Sequence, residues 1–210
     1  MALQILLADD HIIVRQGLKA LLEREGFQVV AEAGDGLEAV QLASQLCPDA
    51  AVLDLSMPGL NGVDAALEIS KVSPRTKTIL LTMHSQNQYV LPALRAGIVG
   101  YVLKTKAAAD LIQAIHEVSK GMTYLSPGVS RTVVEAYLAQ TPLPPDPLSA
   151  RERQVLQLIA EGKSTKEAAA IIGVSFKTAE SHRTRIMEKL NIHETASLVR
   201  YAIRQGLIQP

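Results

Sequence analysis

Residues 3–120 alternate five times between a short apolar run and a longer segment of helical spacing. The runs are Leu3–Ala8, Phe27–Ala31, Ala50–Leu55, Thr78–Thr82 and Val99–Leu103. The helical segments are Ile13–Glu25, Gly36–Leu46, Val63–Val72, Gln86–Ala96 and Ala107–Lys120. A continuous apolar run suits a strand covered on both faces. Strands separated by helices favour parallel pairing through right-handed crossovers. The pattern therefore predicts an α/β domain with a doubly wound, five-stranded parallel sheet. Ligands of such sheets bind outside the carboxyl ends of the strands, so the residues that end each run are the candidates for function.

The alternation stops at residue 120. In 121–147, Ser126-Pro127-Gly128 reads as a turn and Val129–Ala139 as one short helix. Thr141–Pro147 then carries four prolines in seven residues, a semi-stiff spacer. Residues 148–210 contain no strand pattern. They read as four helices, Ser149–Glu161, Thr165–Ile172, Phe176–Leu190 and Glu194–Gln205, with glycines 162, 173 and 206 at helix ends. Ser149 ahead of Glu152 matches a capping box. The expected organisation is a first domain over 1–120, a linker over 121–147 and a small all-α domain over 148–210.

Charge follows the same division. The chain balances 21 basic against 21 acidic residues, but 1–120 holds 10 against 13 and 148–210 holds 10 against 6. A basic C-terminal piece is compatible with nucleic acid, and equally with chance at so modest an excess. The single cysteine, Cys47, excludes a disulfide framework or a cysteine zinc finger, and its place beside an apolar helix predicts a small buried hydrophobe. Aromatic residues are 3% of the chain, too few for stacking platforms that bind single strands. No apolar run is long enough to cross a membrane and the start does not resemble a signal peptide, so a cytoplasmic protein without membrane contact is expected.

Asp9 and Asp10 follow the first run and Asp54 ends the third. In a doubly wound sheet these ends are neighbours, so three carboxylates converge. Such a cluster suits a hard divalent cation, most simply Mg²⁺. Thr82 ends the fourth run and adds a hydroxyl; Lys104 follows the fifth and adds an ammonium. Taken singly, each has a plain reading: an N-cap, a strand end, a solvated cation. Together they have the parts of a phosphoryl-transfer site in which a carboxylate is the acceptor. His11, His84, His116 and His193 show no ligand cluster in the sequence.

Leu6-Leu7-Ala8-Asp9-Asp10-His11, Leu53-Asp54-Leu55-Ser56-Met57-Pro58-Gly59-Leu60-Asn61-Gly62, Leu80-Leu81-Thr82 and Gly100-Tyr101-Val102-Leu103-Lys104 resemble, in order and spacing, a two-component receiver domain. The resemblance covers residues 3–120 and implies a flavodoxin-like fold. It also implies that a histidine kinase phosphorylates Asp54. Asp10 would bind Mg²⁺ directly, with Asp9 acting through water and Asp54 and the Ser56 carbonyl as further ligands. Thr82 and Tyr101 match the switch pair and Lys104 the lysine that pairs with the phosphate. Met83 departs from the pattern, being bulkier than the usual residue after the switch threonine.

In the C-terminal domain, Thr165–Ile172, Gly173-Val174-Ser175 and Phe176–Leu190 have the layout of a helix-turn-helix. On the last of these, Ala179, Arg183, Ile186 and Leu190 share an inner side, and Lys177, Glu180, Ser181, Thr184 and Glu188 the outer one. Short polar groups flanked by cations suit base edges and phosphates, although patterning alone does not separate a DNA face from a solvated one. Leu148–Leu156, Ala160–Ser164, Glu167-Ala168-Ala169 and Lys177–His182 resemble a LuxR-type DNA-binding domain, with Ala168 and Ala179 smaller than the residues usual there.

The whole chain is thus similar to a NarL/FixJ-type response regulator. The resemblance implies that Glu180, Ser181 and Thr184 read bases and that Lys177, His182, Arg185 and Lys189 contact phosphates. It further implies a histidine-kinase partner, two-fold half-sites on double-stranded DNA and a homodimer formed on phosphorylation. The protein would be a phosphoacceptor that slowly hydrolyses its own phosphate, not an enzyme. An aspartyl-phosphate phosphatase on a similar sheet is the enzymatic alternative. It needs Asp two residues beyond the nucleophile, where this chain has Ser56. A protein-interaction module is the alternative for residues 148–210.

Overall fold

A computed structural model describes residues 2–138 and 146–208. The chain forms two compact units. The first contains a parallel sheet in the order β2-β1-β3-β4-β5-β6. Its strands are β1 (Gln4–Ala8), β2 (Gln28–Ala33), β3 (Ala50–Asp54), β4 (Lys77–Thr82), β5 (Gly100–Leu103) and β6 (Tyr124–Leu125). Between them run α1 (Ile12–Arg24), α2 (Gly36–Leu46), α3 (Gly62–Val72), α4 (Asn87–Arg95) and α5 (Ala107–Ser119), and α6 (Pro127–Leu138) follows β6.

The central strands β1, β3 and β4 are buried on both faces, as their apolar runs require, while β2 at the edge is mostly half-buried. Ile5, Leu7, Val52, Ile79 and Leu81 pack with Leu18 and Leu22 of α1 and with Leu111, Ile115 and Val118 of α5. The alternate residues Leu6, Ala51, Leu53 and Leu80 project the other way and are equally buried. Chain order reverses between β2-β1 and β3-β4, which opens the crevice of a doubly wound sheet at the ends of β1 and β3.

The sheet has one strand more than the sequence predicts. Tyr124 and Leu125 pair parallel with Gly100 and Tyr101, and the Tyr124 amide donates to the Val99 carbonyl at 2.9 Å. A two-residue strand has no period to recognise. With α6 packed beside α4, the first unit extends into the segment expected to be linker. Residues 139–145, which include most of the Pro-rich stretch, lie outside the described residues. Cys47 also differs from expectation. It is exposed, and as the C-cap of α2 it takes a left-handed φ of 46°, which turns the chain out of the helix.

The second unit contains α7 (Ala150–Ala160), α8 (Thr165–Ile172), α9 (Phe176–Leu190) and α10 (Thr195–Arg204). Ser149 and Glu152 form the capping box read from the sequence, and Ser164 with Glu167 forms a second. Gly173 ends α8 at φ 71°, the left-handed turn that lets α9 cross it. Val155, Leu156, Leu158, Ile159, Ala168, Ile172, Ile186, Leu198 and Ala202 form the core.

Candidate functional site

The crevice gathers the strand-end residues named from the sequence. Asp9 is 1% exposed and Asp54 is 4% exposed. Lys104, beyond β5, bridges them: its Nζ donates to Asp9 Oδ2 at 2.8 Å and lies 2.8 Å from Asp54 Oδ1. The second Asp54 oxygen, Oδ2, is buried and has no hydrogen-bond partner among the described residues. Burial pushes the Asp54 carboxyl above its ordinary range. Lys104 opposes that shift, and Asp9 and Asp10 add to it. Burial pulls Lys104 down, but Asp54 and Asp9 outweigh it and its pKa is raised. Lys104 pairs with two of the three carboxylates and the Arg15 guanidinium reaches the Asp9 backbone carbonyl, which leaves room for more positive charge.

Asp10 is half-buried beside them. His11, which showed no ligand cluster in the sequence, belongs to this group. Its Nδ1 lies 2.7 Å from Asp10 Oδ1 and its amide donates to Asp9 Oδ1 at 2.9 Å. Asp9, Asp10 and His11 each offer a ligand atom within 4.8 Å of the others. His11 is the residue before α1 and has an extended backbone. Ser56 follows β3, half-buried.

The sequence reading gave Gly62 no separate role, yet the geometry gives it one. Its amide donates to the Leu55 carbonyl at 2.8 Å, and a Cβ built on it would collide with the Asp54 carbonyl oxygen and meet Leu80 at 2.9 Å. The loop from β3 can close this tightly under Asp54 only with glycine there. Asn61 caps α3 beside it, accepting from the Val63 and Asp64 amides at 3.0 Å each.

Thr82 is buried at the end of β4, and its Oγ1 accepts from the His84 amide at 3.2 Å. Tyr101 is fully buried, and its hydroxyl donates to the His84 carbonyl at 2.8 Å. Burial pushes its phenol well above the ordinary range. The His84 ring packs on Tyr89 of α4 with centroids 4.4 Å apart, so the loop after Thr82 is tied to both β5 and α4.

In the second unit, α9 turns Ala179 and Ile186 inward, and Arg183 donates to Thr165 Oγ1 at 3.2 Å and Thr195 Oγ1 at 3.1 Å. Lys177, Glu180, Ser181, Thr184 and Arg185 are exposed. Ser175, Lys177, Thr178, Ser181, His182 and Arg185 line a shallow concavity at the start of the helix. His182 is half-buried, with its Nδ1 buried and without a partner among the described residues. Lys189, expected among the phosphate contacts, is exposed and also pairs within the unit. Its Nζ lies 2.7 Å from Glu152 Oε2. Glu152 is 3% exposed and its carboxylate caps α7, so the lysine stem is anchored by a buried anion while its side chain stays 42% exposed.

The comparisons agree with this geometry in both units. Residues 5–116 match the response regulator receiver domain, and residues 146–202 match the luxR family of bacterial regulatory proteins. The oxygen regulatory protein NreC of Staphylococcus carnosus is 39% identical over 98% of this chain and 99% of its own length. The transcriptional regulatory protein MctR of Rhizobium johnstonii is 35% identical over 98% of this chain and 95% of its own. Among solved structures, the RcsB response regulator of Salmonella typhimurium is 30% identical with a TM-score of 0.67, covering 95% of this chain and 96% of that one. An RcsB–DNA complex is 31% identical with a TM-score of 0.60, covering 96% and 98%. A receiver crevice on a parallel sheet, a LuxR-type helix-turn-helix and relatives alike over nearly the full length place this chain in the NarL/FixJ-type family of two-component response regulators, DNA-binding regulators of transcription.

Proposed function

We propose that Asp54 is the phosphoacceptor, that a histidine kinase is the donor, and that the acyl phosphate controls binding to double-stranded DNA. The observation that carries this reading is the asymmetry of the Asp54 carboxylate. Oδ1 is held by Lys104, while Oδ2 is buried and unpartnered. Oδ2 attacks the phosphorus of a phosphohistidine; the P–O bond forms, the P–N bond breaks, and the imidazole leaves with the electron pair. Lys104 is placed to follow the new charge, about −1.5 to −2. The Thr82 hydroxyl can donate to a phosphoryl oxygen, since its present bond uses it only as acceptor.

The donor set also fits Mg²⁺. Asp9, Asp10, Asp54 and the Ser56 carbonyl offer hard oxygens and carry more negative charge than Lys104 offsets. When bound there, the ion neutralises charge on the transferring oxygens. Ile12 and Ile13 of α1 stand beside this mouth, 59% and 86% exposed, an apolar rim suited to a kinase domain that must dock before transfer.

Loss of the phosphoryl group by self-hydrolysis is slow. Ser56 and His84, two residues beyond Asp54 and Thr82, offer no carboxylate or amide to aim water. The His84 ring is engaged with Tyr89, and exposed Met83 adds bulk. In the second unit, Glu180, Ser181 and Thr184 read base edges while Lys177, His182, Arg185 and Lys189 meet phosphates. A two-fold homodimer formed on phosphorylation engages two half-sites. Binding DNA places the protein's work in the cytoplasm, and among the described residues no helix is long and apolar enough to cross a membrane.

Phosphotransfer tests the reading. The full chain is incubated with Mg²⁺ and a phosphorylated histidine-kinase domain, and the acyl phosphate is trapped by borohydride reduction. Label at Asp54, lost in Asp54→Ala, is expected; label elsewhere overturns the assignment.

A further inference from the structure

Phe176 presents a large apolar ring to solvent. It is the first residue of α9, directly after the Ser175 cap, and its ring is 52% exposed. The chain has one other phenylalanine, Phe27, which is 6% exposed in the sheet core. Phe176 is not one of the buried side chains that form the second unit's core. An exposed aromatic ring costs solubility and helix propensity, so its place at the leading end of this helix invites a reason.

Position supplies one. A recognition helix enters the major groove with its N-terminal residues nearest the base edges. Phe176 lies four residues before Glu180 and so on the same flank of the helix, beside the row formed by Lys177, Ser181 and Thr184. In the major groove, the apolar feature that a ring can meet is the C5-methyl group of thymine. Its neighbour Glu180 suits the amino group of cytosine, displayed on the same pyrimidine edge. A protein partner on this ring would have to leave whenever α9 entered the groove.

We propose that Phe176 is a specificity-determining residue that packs on a thymine methyl group in the operator. The inference rests on α9 being the helix that reads DNA, and the test separates the two. The full chain selects duplexes from a random library, and the best duplex is then made with each thymine replaced in turn by deoxyuridine, which lacks only the methyl. Native protein should lose about fourfold in affinity at one thymine per half-site, the worth of one buried methyl group. Phe176→Ala should bind the parent duplex more weakly and be indifferent to uracil at that thymine alone. Phe176→Leu, which keeps an apolar side chain, should retain part of the discrimination. Unchanged thermal unfolding of both variants would show that the loss is local. A native uracil profile retained in Phe176→Ala, or no uracil effect in native protein, overturns the proposal while DNA reading stands. Failure to enrich any duplex overturns both.

Discussion

Removing the Lys104 ammonium strikes the buried charge cluster of the crevice. Its Nζ makes two contacts of 2.8 Å, to Asp9 and Asp54, and the lysine side chain is only 18% exposed. At an effective dielectric constant of about 20, a contact of 2.8 Å is worth about 6 kcal/mol before desolvation. Desolvating the ammonium cancels much of that in the native protein. Lys104→Ala, however, leaves two buried carboxylates facing each other with nothing between them. Breaking a buried pair in this way costs about 3–5 kcal/mol, roughly a 150- to 5,000-fold fall in the folding equilibrium constant. Hydrogen exchange in the full chain reads this loss separately for each unit, because the amides of β1 and β3 report opening of the first alone.

The loss should depend on pH and on metal. Asp54 already holds its proton to higher pH than an ordinary carboxyl. Without Lys104 that pKa rises further, so the folded state binds more protons than the unfolded one in the window above the ordinary carboxylate value. Stability of the variant should therefore recover as the pH falls through that window. Mg²⁺ should also restore part of the protection, and α7–α10 should exchange as in native protein. A change of less than about fivefold in the β1 and β3 amides, insensitive to both acid and Mg²⁺, would refute the argument that Lys104 offsets a repelling carboxylate pair.

Gly62→Ala should cost about 1–3 kcal/mol in thermal or urea unfolding and slow phosphotransfer, because the new methyl displaces the Asp54 backbone; unchanged phosphotransfer would mean the loop yields freely. Burial pushes Glu152 up, but Lys189 and the Ser149 amide and hydroxyl outweigh it and hold it below the usual value of 4.5. Its contribution is therefore present above that value and lost as the pH falls through the lowered one. Glu152→Ala should cost about 1–2 kcal/mol at neutral pH and flatten the acid limb of the second unit's stability curve, measured by exchange of the α7 and α9 amides. The phosphoryl half-life with Mg²⁺ present should run to many minutes or hours; a lifetime of seconds that lengthens in His84→Ala would show that the histidine aims water.

The features legible in the sequence are those set by local period and local chemistry. Both-face burial makes β1, β3 and β4 nearly continuous apolar runs, and Ser149 and Glu152 cap α7 as their spacing implies. The crevice is legible because its acids and lysine lie at the ends of β1, β3 and β5, which topology brings together. What stayed hidden depends on contacts distant in sequence. Tyr124 joins the sheet through Val99 and Gly100, with only two residues in the strand. Lys189 is drawn to Glu152, 37 residues away, and amphipathic spacing carries no trace of that. Cys47 reads as a core residue until the helix ends beneath it in a left-handed turn. Gly62 could have been suspected from its place after the Asn61 cap, but its reason is a collision with Asp54.

The central claim is that phosphate on Asp54 governs DNA affinity. Residues 1–120 already carry three more acids than bases, so by charge alone the phosphate should weaken binding to DNA. Any gain must come through assembly of the two-fold dimer or release of inhibition. The direct measurement is a titration of the selected duplex with phosphorylated full chain, unphosphorylated full chain and Asp54→Ala, each below and above the dimerisation concentration. Phosphorylation should tighten binding about 5- to 150-fold, a coupling of about 1–3 kcal/mol, and the kinase should have no effect on the variant. Equal affinity of the phosphorylated and unphosphorylated chain at both concentrations would contradict the account.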